Sequence, residues 1–280
     1  LSGLVGSEMC IRDSNNNDQT IGDLSGQGGI SLGTAALTLG TANSTIYAGV
    51  IQGANPAGMS SLIKQGTGNL TLTGANTFPG LTTINQGSIT LGGGGSLAGP
   101  IQVNGGATLV ANGGALALAQ NITGAANSTL SVTEAFAPTG AIQNITTISV
   151  GNGGTLTLNA ASLPTGYTTL NVLNGGTLAV GGGAGNLTVP IGATLNISGT
   201  LTTLGQSVVN NGTINWAGSL TTPTIQGGAN SALVFTGNTT VTSPINNVTN
   251  VNVTGGNLIV SNGITGFTNF TIGANGTTTL

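Results

Sequence analysis

One short unit recurs along this chain and limits what it can fold into. It is a glycine turn followed by a few residues that alternate an aliphatic side chain with Thr, Asn or Ala. It reads QGSITLG at Gln86–Gly92, GGATLVA at Gly105–Ala111, GGTLTLN at Gly153–Asn159 and GGTLAVG at Gly175–Gly181. It returns as IGATLNIS at Ile191–Ser198, NNGTINW at Asn210–Trp216, GGNLIVS at Gly255–Ser261 and ANGTTTL at Ala274–Leu280. Period-two alternation argues for half-buried strands. Thr, Val and Ile suit a pleated surface, and Gly and Asn supply turns with positive φ. No 11-residue window carries a helical apolar stripe with caps.

Two- or three-strand units repeating every twenty or so residues predict a solenoid, because one coil cannot bury its apolar face alone whereas stacked coils can. The expected fold class is therefore all-β, a right-handed parallel β-helix. Twelve to fourteen coils at about 4.8 Å each give a rod on the order of 60 Å long. Asn at equivalent turn positions is expected to stack along the axis. The structural alternative is an all-β sandwich, which usually wants more aromatic core than the 3% present and tight hairpin signals between strands.

Composition narrows the partners. Charged residues are 2% of the 280-residue chain, against roughly 25% in an ordinary domain. Hydrophobic residues are 38% and the net charge is -3, so the chain has apolar surface to bury and must be solvated by Thr, Ser and Asn. Nucleic-acid binding needs clustered Lys and Arg, and only Arg12 and Lys64 are present. A polybasic membrane patch is excluded on the same ground. No run of about 18 apolar residues marks a transmembrane helix, so no direct membrane insertion is expected.

The first fourteen residues, LSGLVGSEMCIRDS, hold the only cysteine, Cys10, and the only arginine. They lack the basic and apolar regions of a signal peptide. They resemble a translated adapter read-through, so residues 1–14 are expected to be a non-native tail; a natural linker or cap is the alternative. The remainder is cysteine-free, which leaves no disulfide framework.

Within KQGTGNLTLTGANTFPGLTTINQGSITLG, the residues Lys64, Gly66, Gly68, Leu70, Leu72, Gly74, Asn76, Phe78, Gly80, Thr82, Thr83, Ile84, Gly87 and Leu91 follow one pattern in register. The stretch resembles the autotransporter-associated β-strand repeat, also termed the passenger-associated transport repeat. The lead-in from Gln19, with IGDLSGQGGISLG at Ile21–Gly33 and STIYAGVIQG at Ser44–Gly53, fits the same resemblance. Leu81 departs from it, since the family commonly has glycine there; Gly80 is expected still to supply the turn. The chain is thus divided into coils over residues 15–92, with the repeat at about 62–92, and further degenerate coils over 93–280. The resemblance implies a β-helical passenger secreted through a C-terminal outer-membrane β-barrel, and a repeat that assists transport and folding. It further implies a bacterial cell-surface or extracellular location. On this reading the chain is an internal fragment ending inside a strand motif at Leu280, an expected monomer linked covalently to the barrel. Autotransport and two-partner secretion both remain open.

The chemistry of catalysis is sparse. There is no histidine, so a Ser-His-Asp triad cannot form. One cysteine without histidine makes no zinc site. Calcium prefers six to eight oxygens, several from carboxylates, and beyond the tail only Asp18, Asp23 and Glu134 remain. No matched carboxylate pair for glycoside hydrolysis is visible. We therefore expect no enzyme activity, no cofactor and no metal.

Candidate binding residues are Glu134, in TEAFAPTG, which is read as a protruding loop, and Trp216, which with Tyr167 could form a sugar-stacking platform, although a lone Trp in a strand is more often a packing residue. Phe136 is expected to pack against a coil. Lys64 is read as a solvated edge residue that discourages sheet-to-sheet pairing. The N-x-[ST] tripeptides at Asn43, Asn121, Asn127, Asn144, Asn196, Asn238, Asn247 and Asn269 could be glycan acceptors, but a polar-out strand generates them automatically. Thr pairs such as Thr71 and Thr73 resemble ice-binding arrays, which need strict spacing, and the varying coil lengths argue against it. The expected role is a neutral stalk or adhesin segment touching host or neighbouring-cell glycans or proteins. The alternatives are a glycan- or protein-binding module centred on Glu134 or Trp216, and the scaffold of a polysaccharide-degrading β-helix enzyme whose site lies elsewhere.

Overall fold

The computed structural model describes residues 12–13, 16–54, 60–113, 118–181 and 183–279. Every strand pairing among them is parallel, and no helix occurs among them. The chain is a β-solenoid, built as two compact units, residues 1–146 and 147–280. The tail expectation for residues 1–14 falls outside the described residues except at Arg12 and Asp13, whose backbone pairs with Ile30 and Ser31.

In the first unit, one face stacks Thr45–Tyr47, Asn69–Leu72, Ser88–Gly92, Thr108–Asn112 and Thr129–Val132. A second face stacks Gln19–Thr20, Ala36–Leu39, Ser61–Lys64, Thr82–Ile84, Ile101–Val103, Ile122–Gly124 and Ile142–Gln143. Most of these strands alternate buried with part-exposed residues, the pattern that period two imposes. The register puts Leu70, Ile89, Leu109 and Leu130 over one another, and likewise Leu72, Leu91, Ala111 and Val132. Burial of each large aliphatic in these rows contributes roughly 1.5–3 kcal/mol. No coil gains that alone, since its inward row is covered by the coils above and below.

The second unit repeats the arrangement. Its first face stacks Thr147–Val150, Thr169–Val172, Thr194–Ile197, Thr213–Trp216, Ala232–Phe235, Asn250–Val253 and Asn269–Ile272. The register is unbroken although successive strands begin 22, 25, 19, 19, 18 and 19 residues apart. Comparison of two coils shows where the difference goes. The strands of the coil starting at Thr169 (169–172, 177–180, 187–189) match in length those of the coil starting at Thr194 (194–197, 200–203, 208–210). The six extra residues sit two at each of the three corners. Strand length is fixed by the ladder on both sides, whereas corners face solvent and tolerate insertion.

Asn stacking occurs, but mainly in a different place from the one expected. The column Ser149–Asn171–Asn196–Asn215 runs mid-strand on the outer surface. There Nδ2 of Asn171 donates to Ser149 Oγ at 3.2 Å, Asn196 to Asn171 Oδ1 at 2.8 Å, and Asn215 to Asn196 Oδ1 at 2.7 Å. At turns, Asn127, Asn144, Asn230 and Asn247 instead adopt positive φ. A carboxamide stacks wherever register repeats it, and register is strictest in the strands; the Asn104–Asn85 pair at 2.6 Å sits just past strand ends.

Candidate functional site

The transport-like stretch forms about one and a half coils of the first unit. Strand Ser61–Lys64 turns a corner at Gln65–Gly68 into Asn69–Leu72, and a bent segment through Gly74–Gly80 leads to Thr82–Ile84. A second corner then reaches Ser88–Gly92. The pattern residues divide by physical role. Leu70, Leu72, Phe78 and Ile84 are buried core, and Thr83 points outward. Gly66 and Gly87 have φ of 71° and 64°, in the left-handed region. Gly68 and Gly80 are constrained differently: an added Cβ at Gly68 would strike the Asn43 carbonyl oxygen of the coil before it, and one at Gly80 the Ser60 carbonyl oxygen. Gly74 likewise lies against the Gly49 carbonyl. Leu81 is 41% exposed, so the side chain that departs from glycine there reaches solvent, and its carbonyl accepts the Leu62 N–H at 3.1 Å.

Lys64 corrects the sequence reading. It is not a solvated edge residue but is 1% exposed, in an inward position opposite Leu39 and Ile84. Its Nζ donates to the carbonyls of Gln65 at 2.7 Å and Gly66 at 2.8 Å, and reaches the Gln86 carbonyl in the next coil's corner at 3.5 Å. Backbone oxygens thus solvate the ammonium. Burial lowers its pKa from the ordinary 10.5, with the carboxylate of Asp23 opposing that shift. Asp23 is held below the usual carboxylate range by hydrogen bonds from Asn43 Nδ2, at 2.7 Å, and the Thr41 hydroxyl. The alternation in SLIK carried the signal for burial, but Leu62 and Ile63 are both apolar and leave the inward parity open. The structure decides it: Leu62 is in and Ile63 is half out.

Asn76 is the other buried polar residue of the pattern. Its Oδ1 accepts the Ile51 N–H at 2.9 Å from the preceding coil, while Nδ2 donates to the Gly74 carbonyl at 2.9 Å and to the Ser96 carbonyl of the following coil at 3.0 Å. One side chain therefore ties three consecutive coils where the bent segment has no strand ladder. Sequence reasoning marked the residue but not this function. Asn69, outside the pattern, was missed: its Oδ1 accepts from both Ser88 Oγ at 2.7 Å and Thr90 Oγ1 at 2.8 Å. Lys64, held by the carbonyls of its own corner and reaching that of Gln86, and Asn76, bonded to the coils on both sides, make this stretch a clamp on coil register.

The remaining candidates do not gather with it. Trp216 is 1% exposed, stacked on Phe235 with centroids 5.3 Å apart, and its Nε1 donates to the Gly218 carbonyl at 3.0 Å. Tyr167 is buried with its hydroxyl on the Thr188 carbonyl at 2.9 Å, and burial pushes its pKa up. Neither ring faces solvent, so the stacking-platform reading gives way to packing. Phe136 is buried, as expected. Glu134 is exposed, in a bend between Thr129–Val132 and Ala135–Phe136. Several tripeptide asparagines already use their carboxamides: Asn43 on Asp23, Asn121 on Ala141, Asn196 in the ladder, Asn238 on Asn257 and Asn269 on Asn250. Among the described residues no three His, Cys, Asp or Glu side chains cluster, and no helix is long and apolar enough to cross a membrane.

A stacked-coil β-solenoid with a register clamp is the class of protein that this geometry defines. Residues 62–91 match the family described as the passenger-associated-transport-repeat. The repeat and the solenoid together fit a segment of an autotransporter passenger. No curated protein matches the chain, and no solved structure does.

Proposed function

We propose that this chain is a non-enzymatic part of a bacterial autotransporter passenger, carried at the cell surface or released from it, and linked to a C-terminal outer-membrane barrel. Its coils act as a neutral stalk or adhesin segment, and residues 62–91 assist translocation by fixing coil register as the chain folds. The observation that carries this reading is the pair of buried clamps inside the matched segment: Lys64, whose ammonium reaches the Gln86 carbonyl of the next coil, and Asn76, which accepts the Ile51 N–H of the coil before and donates to the Ser96 carbonyl of the coil after. A solenoid of local contacts adds coils one at a time from a formed nucleus, which suits a chain that emerges from a pore. The outward Thr, Ser and Asn rows supply weak, repeated polar contacts to glycans or proteins of a host or neighbouring cell, whose number raises avidity.

The test places the chain between a secretion signal and an outer-membrane barrel and reads surface exposure by protease accessibility on intact cells. Deleting residues 62–91, or substituting Lys64→Ala with Asn76→Ala, should reduce folded passenger at the surface by several-fold. Undiminished display of protease-resistant passenger by both variants would refute the role given to the repeat.

A further inference from the structure

Seven asparagines of the chain are followed directly by glycine. In such a pair the glycine backbone nitrogen can attack the asparagine carboxamide, because no glycine side chain stands in the way. The attack requires that both groups be free. At Asn104 and Asn262 the carboxamide is engaged: Asn104 Nδ2 donates to Asn85 Oδ1 at 2.6 Å, and Asn262 Nδ2 donates to the Thr242 carbonyl. At Asn152, Asn211 and Asn275 the glycine nitrogen is engaged. Gly153 donates to the Gly175 carbonyl at 3.1 Å, Gly212 to Asn210 Oδ1 at 3.2 Å, and Gly276 to the Gly273 carbonyl at 3.0 Å. Asn112 is held in the strand Thr108–Asn112, in register with Gly92.

Asn174–Gly175 differs. Its corner joins Thr169–Val172 to Thr177–Val180 and closes with the Gly176 N–H on the Leu173 carbonyl at 2.8 Å. The turn itself calls for glycine at 175, where φ is 78°. The following coil needs only residues 198–199 at the same corner. That shorter corner bonds to the Val172 carbonyl through the Ser198 and Gly199 N–H groups, and to the Gly176 carbonyl through the Thr200 N–H. It passes by Asn174 and Gly175, and both are exposed. Among the described residues neither the Asn174 carboxamide nor the Gly175 N–H has a hydrogen-bond partner. A backbone N–H without a protein partner is one that water reaches. We infer that Asn174 is a self-modification site, where the Gly175 nitrogen converts the carboxamide to a carboxylate. That nitrogen gives its proton to base and bonds to Asn174 Cγ; the Cγ–Nδ2 bond breaks and ammonia leaves. Water then opens the cyclic succinimide at either carbonyl, which leaves aspartate or isoaspartate at position 174. Isoaspartate lengthens the backbone, a change that a solvent-facing corner accommodates. The product places a carboxylate in the second unit, residues 147–280, whose sequence has no charged residue.

Mass spectrometry of the full chain, with fragmentation to locate each converted asparagine, tests this. One sample is incubated folded in mildly alkaline buffer at physiological temperature, and a second is incubated unfolded in guanidinium chloride. In the folded chain position 174 should convert several-fold faster than any other Asn-Gly pair, with ammonia released in equal amount. In the unfolded chain the pairs should convert at similar rates, because the selectivity comes from the fold. Asn174→Gln should remove the fast site and leave the far-UV spectrum unchanged. Position 174 staying intact in the folded chain, another pair converting first there, or the same ranking of sites in the folded and unfolded chains would each overturn the inference.

Discussion

The Oδ1 of Asn76 accepts the backbone N–H of Ile51 at 2.9 Å although 25 residues separate them. The contact lies where the chain bends between two faces and the ladder is interrupted, so a side chain replaces the missing strand partner. Removing a partner from a buried donor costs the desolvation of that group, about 1–3 kcal/mol. Asn76→Ala leaves the Ile51 N–H without this acceptor, and a loss of about 2–3 kcal/mol is expected, read as a lower urea midpoint. Asn76→Asp should not restore it fully, because a carboxylate keeps the acceptor but loses the donor to Ser96.

Lys64 gives a pH dependence with a definite sign. Burial lowers its pKa below 10.5 in the folded state. Between that lowered value and 10.5 the unfolded chain binds more protons than the folded one, so stability rises with pH across this window. Below it the buried ammonium is fully charged and its penalty constant. Urea midpoints measured up to pH 10 should show this rise in the parent chain and a flat profile in Lys64→Met.

Tyr47 works in the opposite direction. Its hydroxyl donates to the Gly28 carbonyl, and burial raises its pKa from 10.0 to about 12. The folded state holds its proton longer than the unfolded one, so stability falls as pH rises between 10 and about 12. Tyr47→Phe should reduce that slope, leaving the part contributed by buried Tyr167, whose pKa burial also raises, and absorbance titration of the folded chain should lose the phenolate transition near 12.

Two glycines separate close approach from backbone freedom. Gly94 has φ 93° with nothing near a would-be Cβ, whereas Gly68 would drive a Cβ into the Asn43 carbonyl. Gly94→Ala should cost about 1–2 kcal/mol, the left-handed penalty. Gly68→Ala must separate two coils and should cost about 3 kcal/mol or more. Equal midpoints in chemical denaturation would contradict this division.

Trp216 is a packing residue, and its removal should be felt in stability alone. Trp216→Ala is expected to cost about 3–5 kcal/mol. Any glycan retention by the parent chain, measured on a glycan array, should persist in the variant at temperatures where it remains folded.

The alternation of aliphatic and Thr or Asn residues made the strands and the stacked-coil class legible, because one side-chain row must be buried whatever the coil size. The clamps were harder to see. Nothing local fixes which way Lys64 points when Leu62 and Ile63 are both apolar. Trp216 carried two readings for a related reason: parity says inward, but only the Phe235 below it in register supplies the packing surface.

Local sequence determined the period, the turns and the absence of charge that shape this protein, since each depends on a few adjacent residues and their backbone preferences. That the Lys64 ammonium reaches the Gln86 carbonyl, and that Asn76 joins the coils of Ile51 and Ser96, were decided only in three dimensions. Those contacts link residues about 20 or more positions apart, and their partners become neighbours only once the coils have stacked.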